Sequence, residues 1–396
     1  MRNHIVIVSE ESVFAGHYKC GIGEVVDCLA DALREYYDVT VITPGRNKGG
    51  RIGGRVCMGV YNKEFYTAAA ELVNDIQPDL VHNFGRPDFI DQLTVDCPKV
   101  LSFDRWEEDI ADWLDSAPKY DHVTTLSSGY AAEMIAAHPE AAEWPLKGII
   151  NGIDGDLYNA PKAEKANSRK RFFQMNGLED TGKPLIVSTG RLKEFKGIQD
   201  IIDAAPAIAE AGVNLVVYGE GDEKYEKQLA VLHEAGTLIF VPHLADYFEM
   251  YQAMAAADFY LMPSLSEVCG LQPMKAARLG CVPIVRPVGG LGENFDETTA
   301  ILITGTITEA VAHAMALSAE EYAAIRESAM AGEWTWDTRV LPWVELYGLE
   351  TAPISESAFR VTSTSSASKT ATYSRTVTPA ATTTTKKASP FAKKGE

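Results

Sequence analysis

Short β-branched runs alternate with stretches of helical periodicity along most of the chain. HIVIV (4–8) reads as a first strand, and Val25, Val26, Leu29, Ala30 and Leu33 then fall on one face of a helix. DVTVIT (38–43) is a second strand ending at Pro44-Gly45. LVHNF (80–84), KVLSF (99–103) and HVTTLS (122–127) follow at strand-like intervals. This alternation predicts a parallel sheet covered by helices on both faces.

The pattern then restarts. PLIVSTG (184–190) is a strand followed by a basic turn and an apolar helix, Ile198 to Ala209. NLVVYGEGD (214–222) is a strand and glycine turn, and LIFVPH (238–243), FYLMPS (259–264) and VPIVRP (282–287) complete a second set. The two sets meet near the turn-rich NGIDGDLYNAPK (151–162). The expected architecture is α/β: two Rossmann-like domains, 1–160 and 161–333, facing a cleft where the strand ends of both would meet a ligand. From 351 to 396 the chain is rich in Ser, Thr, Ala and Lys and nearly free of large apolar residues. Such a segment buries too little surface to offset its ordering entropy and is expected to be disordered, whether as a linker, a docking tail or a solubilising end.

Composition narrows the function. The 396 residues are 46% hydrophobic and 23% charged, enough for two ordinary domains. No apolar run is long enough to span a bilayer, and MRNHIVIVSEES lacks the features of a signal peptide. The six cysteines are scattered with no Cys-x-x-Cys spacing, so the default is a reducing cytoplasm without a disulfide framework or zinc site. A net charge of −19 argues against non-specific nucleic-acid or anionic-membrane binding.

Four stretches carry candidate chemistry. STGRLKEFKG (188–197) places Arg191 and Lys196 after a strand, a planar fork and a point charge suited to a diphosphate; taken alone it reads as a solvated basic loop. VGGLGENF (288–295), with Gly289, Gly290 and Leu291, lets backbone N–H groups approach an anion. HYKCGIGEVV (17–26) repeats that logic with Lys19, Gly21 and Gly23. Glu267, in MPSLSEVCG, lies just past a buried strand and either accepts hydrogen bonds from sugar hydroxyls or complements a helix N-terminus.

In combination these stretches resemble the glycogen and starch synthases (glycosyltransferase family 5, related to family 4). MPSLSEVCGLQPMKAARLGCVPIVRPVGGLGENF is similar to that family's donor-site segment, and STGRLKEFKGIQDII to its Gly-Arg-Leu…Lys-Gly segment. HVTTLSSGYAAEM, LKGIINGIDGDLYN and LVVYGEGDEKYEKQL match in order and spacing, and the likeness covers most of residues 1–348. WTWDTRVLPWVELY resembles the closing helical segment, which in that family crosses back to the first domain; 334–350 is assigned to it.

The resemblance implies the GT-B fold and a retaining transferase that moves glucose from ADP- or UDP-glucose to an α-1,4-glucan, with no cofactor and no required metal. Carried over by position, Arg191 and Lys196 would hold the diphosphate and Glu267 the donor sugar. Cys269, Gly270 and Leu271 would line the sugar's pocket, and Lys19 with Gly21 to Gly23 would touch the phosphates. Departures gather in the first domain. The glycine loop is one residue shorter, and His82-Asn83-Phe84-Gly85 stands for a His-x-His-Asp segment. Asp104 falls where the family carries an active-site histidine. Lys275 stands where more distant relatives keep a second glutamate and the synthases do not. A small-molecule, lipid or protein acceptor therefore stays open, as does a non-catalytic nucleotide-sugar or glucan-binding role with a tail-mediated partner. On the catalytic reading, Glu267→Ala is expected to lower turnover greatly while the circular dichroism of the folded protein is unchanged; near wild-type turnover would remove Glu267 from the site.

Overall fold

The computed structural model describes residues 2–16, 21–45, 50–52, 55–58, 63–103, 115–158 and 165–351. Lys19, Asp104 and residues 352–396 lie outside the described residues.

The first sheet holds β1 (His4–Ser9), β2 (Asp38–Pro44), β3 (Gly50–Ile52), β4 (Arg55–Met58), β5 (Leu80–Phe84), β6 (Lys99–Phe103), β7 (His122–Thr125) and β8 (Leu146–Gly148). Their spatial order is β3-β4-β2-β1-β5-β6-β7-β8, parallel throughout except for the β3–β4 pair. The second sheet holds β9 (Leu185–Thr189), β10 (Asn214–Tyr218), β11 (Ile239–Val241), β12 (Phe259–Met262), β13 (Val282–Val285) and β14 (Ile301–Leu302). It is wholly parallel in the order β11-β10-β9-β12-β13-β14. The expected pair of doubly wound α/β sheets is therefore present.

The ten runs recognised by pattern are strands because both faces of each sheet are covered, which calls for continuous β-branched stretches. β3, β4, β8 and β14 escaped that pattern. They are two to four residues long, and three of them form sheet edges, where little apolar surface is needed. The first helix, Ile22–Leu33, buries the predicted stripe: Val25, Val26, Leu29, Ala30 and Leu33 pack with Ile5 and Ile7 of β1.

The last described helices return to the first sheet. Trp336, Trp343, Leu346 and Tyr347, from the helices Trp336–Arg339 and Leu341–Tyr347, and Val340 between them join the core formed by Ile5, Ile7 and Leu33. Each such fully buried side chain contributes about 1.5–3 kcal/mol of transfer free energy. The return segment also pairs with the outgoing crossover: Ile153 N donates to Trp334 O at 2.8 Å and Trp336 N to Ile153 O at 3.3 Å. Two chain segments thus run side by side between the sheets.

A buried polar chain anchors the return. His82 on β5 bonds Tyr347 Oη through Nδ1 at 2.7 Å and Ser102 Oγ of β6 through Nε2 at 2.7 Å. Ser102 continues to Thr124 of β7 at 2.7 Å. Phe84 and Trp343 flank the imidazole. Burial holds His82 in its neutral form, with a pKa pushed from 6.5 down to about 3. Between those values the unfolded chain binds the extra proton, so this contribution is complete above pH 6.5 and is lost as pH falls. Urea unfolding from pH 7 to 4 is expected to show stability declining by roughly 1.4 kcal/mol per pH unit below 6.5 from this group. His82→Gln is expected to flatten that slope, and an unchanged slope would assign it elsewhere.

Candidate functional site

In the second sheet the strand order reverses between β9 and β12, which opens a crevice beyond their carboxyl ends. The loops leaving these two neighbours therefore meet, although they are far apart in sequence. The loop after β9 carries Arg191 and Lys196; the loop after β12 carries Glu267. Lys196 Nζ reaches Glu267 Oε2 at 2.5 Å, and Ser264 Oγ donates to the same oxygen at 3.3 Å. Side-chain exposures of 20% and 12% shield the pair from much of the solvent screening that weakens surface pairs. The loops are laced by Leu265 N donating to Phe195 O at 2.7 Å. Gly197 makes this possible: at φ +68°, a Cβ there would sit 2.3 Å from Pro263 O.

The loop bearing Glu267 is held from behind through three consecutive carbonyls. Gly290 N donates to Glu267 O at 2.9 Å, Ser127 Oγ to Val268 O at 2.7 Å, and Asn294 Nδ2 to Cys269 O at 2.7 Å. Ser127 comes from the first sheet's side, so the cleft is closed at its back by contacts between the two units. Glu293 adds to the seam by accepting from Ser128 N at 2.7 Å and Gly129 N at 3.2 Å, where it meets the positive end of the helix Ser128–Ala137. Gly289 and Gly290 pack closely against the backbone of the Glu267 loop, and Leu291 is buried beside them.

In front of this seam lies a cleft of about 480 Å³. Arg191, Lys196, Glu267, Cys269, Gly270 and Leu271 line one side. Gly21, Ile22, Glu24, Val25 and Tyr130 line the other. Two helix starts face it, Ile22–Leu33 after Gly21 and Leu271–Arg278 after Gly270, and neither has a side-chain cap. Their first N–H groups and positive dipole ends are suited to an anion. Gly23 lies in the first turn of its helix and is buried there. Cys269 is buried, which pushes its thiol pKa up to about 12, so it contributes shape rather than nucleophilicity.

Sequence reasoning passed over Glu24, Phe195 and Tyr247. Phe195 stands 41% exposed on the cleft wall with Lys196 Nζ 5.3 Å from its ring centroid. An acid in the first turn of a helix is too common to single out Glu24. Asp154, in the Asp-Gly-Asp turn, accepts from the N–H groups of Asp156 and Leu157 at 2.9 Å each, which makes it a turn-forming residue.

Residues 183–320, which contain Arg191, Lys196 and Glu267, match the family described as Glycosyl transferases group 1. The chain carries a glycosyltransferase group 1 domain. Beyond it, a curated glycogen synthase from Streptococcus equi subsp. equi is 31% identical over 288 residues, 61% of this chain and 59% of that protein. One from Geotalea daltonii is 34% identical over 274 residues, 58% of this chain and 55% of that protein. The chain thus spans less than two thirds of the length of these relatives. The catalytic domain of starch synthase IV from Arabidopsis thaliana, solved bound to ADP and acarbose, superposes with a TM-score of 0.73 at 18% identity, covering 88% of this chain and 99% of that one. The fold is GT-B, and the group 1 domain forms its second half.

Among the described glycines of the group 1 domain, Gly289 leaves the least room for a Cβ. Its φ is +46°, and a Cβ there would lie 2.1 Å from Glu267 O. Gly289→Ala is expected to cost about 2–3 kcal/mol in urea unfolding through strain and displacement of the 267–270 loop. A cost below about 0.5 kcal/mol, the level of a neutral surface change, would show that the turn accommodates a side chain.

Proposed function

We propose that the protein is a retaining glycosyltransferase that transfers glucose from ADP- or UDP-glucose to an α-1,4-glucan. The observation that carries this reading is the Lys196–Glu267 pair, set beside Arg191 in a cleft faced by two uncapped helix starts. Supporting it are the group 1 domain and the glycogen synthases among the relatives.

The chemistry follows from those groups. The bond from the sugar's anomeric carbon to the diphosphate oxygen breaks, and one from that carbon to an acceptor hydroxyl oxygen forms. The nucleoside diphosphate departs with the electron pair of the broken bond, and its departing oxygen takes the hydroxyl proton. Arg191 and the two helix starts hold the diphosphate and stabilise the charge it gains. An ammonium has three donors, so Lys196 can keep its bond to Glu267 and donate to a phosphate oxygen as well. Glu267 orients the sugar through its hydroxyls, and Cys269, Gly270 and Leu271 shape its pocket. Lys19 and Asp104 are assigned, by position in the sequence, to the phosphate and sugar ends. Orientation and electrostatic stabilisation together supply most of the acceleration.

A second reading keeps the donor and changes the acceptor to a small molecule, lipid or protein. It draws on Asp104, which falls where the synthases carry an active-site histidine. Nucleoside diphosphate release from ADP-glucose and UDP-glucose, with and without glycogen, separates the readings. Glycogen-dependent release is expected, with Lys196→Ala lowering kcat by about 10²–10³. Release that ignores glycogen but follows another acceptor favours the second reading, and donor binding without release favours a non-catalytic role. An unaffected Lys196→Ala enzyme would overturn the assignment of the diphosphate site.

A further inference from the structure

Lys275 is 1% exposed, and its ammonium is enclosed by groups from both halves of the molecule. Nζ donates to Glu24 Oε2 at 2.7 Å and lies 5.0 Å from the ring centroid of Tyr158 and 5.7 Å from that of Tyr247. Tyr247 Oη donates to the same Glu24 oxygen at 3.2 Å. Burial alone would pull the Lys275 pKa down. The Glu24 carboxylate and the Tyr158 hydroxyl outweigh it and hold the pKa above the ordinary value, so the lysine stays charged.

The placement of this pair is informative. Glu24 lies in the first turn of the helix Ile22–Leu33, and Lys275 one turn into the helix Leu271–Arg278. These are the two helices whose starts face the cleft. Their starts lie close together: a Cβ on Gly21, the residue before the first helix, would lie 3.2 Å from Leu271 Cδ1. Two positive helix ends brought this close repel each other. An apolar contact could slide along either helix, whereas a hydrogen-bonded ion pair is made at one register only. Burying such a pair is costly, and an apolar replacement of similar volume often serves stability as well or better.

We propose that Glu24 and Lys275 are positioning residues that lock the two helix starts in register across the cleft, and so set the spacing of the donor's diphosphate site. This rests on the reading of the cleft as a nucleotide-sugar site. Neither residue need touch the reacting atoms.

The test uses the full chain as wild type, Glu24→Gln, Lys275→Met, the double variant Glu24→Met/Lys275→Met, and Glu24→Asp. Thermal unfolding, calorimetric binding of ADP and UDP, and donor KM and kcat are measured for each. The single variants are expected to lose stability because each strands a buried partner. The apolar double variant is expected to recover the melting temperature but not the register. Its nucleotide Kd and donor KM should remain at least about tenfold above wild type, with kcat within about threefold. A double variant with wild-type Kd and KM would overturn the proposal. Should the double variant not fold, Glu24→Asp decides. It keeps the charge but shortens the reach, so unchanged nucleotide affinity overturns the proposal and a several-fold loss supports it. Small-angle scattering of the ligand-free proteins reads the register without nucleotide. The variants are expected to have a larger radius of gyration than wild type. If wild type binds neither ADP nor UDP, the functional reading fails, and identical scattering curves would then overturn the register claim as well.

Discussion

The three carbonyls of Glu267, Val268 and Cys269 constrain the rest of the cleft. Each is held by a different partner: a backbone N–H, a serine hydroxyl from the first sheet's side, and an asparagine amide. A loop leaving a strand would ordinarily have the freedom to move its side chains by ångströms. Here successive peptide units are fixed, so the Glu267 carboxylate is aimed before any ligand arrives. Gly129, Gly289 and Gly290 are part of the same constraint, because a Cβ at any of them would meet neighbouring backbone at under 3 Å. Preorganised orientation of this kind is what a reaction governed by positioning and charge stabilisation requires.

Local electrostatics run against the global charge. A chain of net charge −19 gathers Arg191, Lys196 and two helix starts around one cleft. Acid–lysine pairs flank that cleft. Lys196–Glu267 lies within the second half, and Glu24–Lys275 joins the two halves. The first remains partly open to a ligand, while the second is sealed behind tyrosine rings. On the proposed reading, a diphosphate entering between them would meet donors that are already oriented, with little reorganisation needed.

The two halves are also tied at their rear by the returning C-terminal helices. Trp343 and Tyr347 pack against the first sheet, and the His82 chain runs from Tyr347 across three strands. The segment His82-Asn83-Phe84 is therefore committed to structure. His82 is wholly enclosed, and Asn83 uses its amide on Arg86 O and Tyr120 Oη. The likeness of this stretch to a family motif gave no hint of that role, since burial depends on a segment 265 residues away.

Much of the architecture was legible in the residues themselves. β5 and β6 have the bounds their apolar runs suggested, and the stripe on the first helix is the buried one. Such features are written over five to twelve residues, where β-branching, periodicity and turn residues act on the local backbone. The identity of Arg191, Lys196 and Glu267 as candidates was likewise readable from their neighbours in the chain. Which groups meet was not. Lys196 and Glu267 are 71 residues apart, and Glu24 and Lys275 are 251 apart. The first pair exists because β9 and β12 are neighbours at the point of strand-order reversal, the second because two helices from different sheets start at one seam. The glycines at 289 and 290 were legible as positions of close approach, but that a Cβ at either would meet the backbone of the 267–269 loop depends on the fold. Local preferences determined the elements, while the partners of their polar groups were decided only by sheet order and interdomain packing, which no short window of sequence encodes.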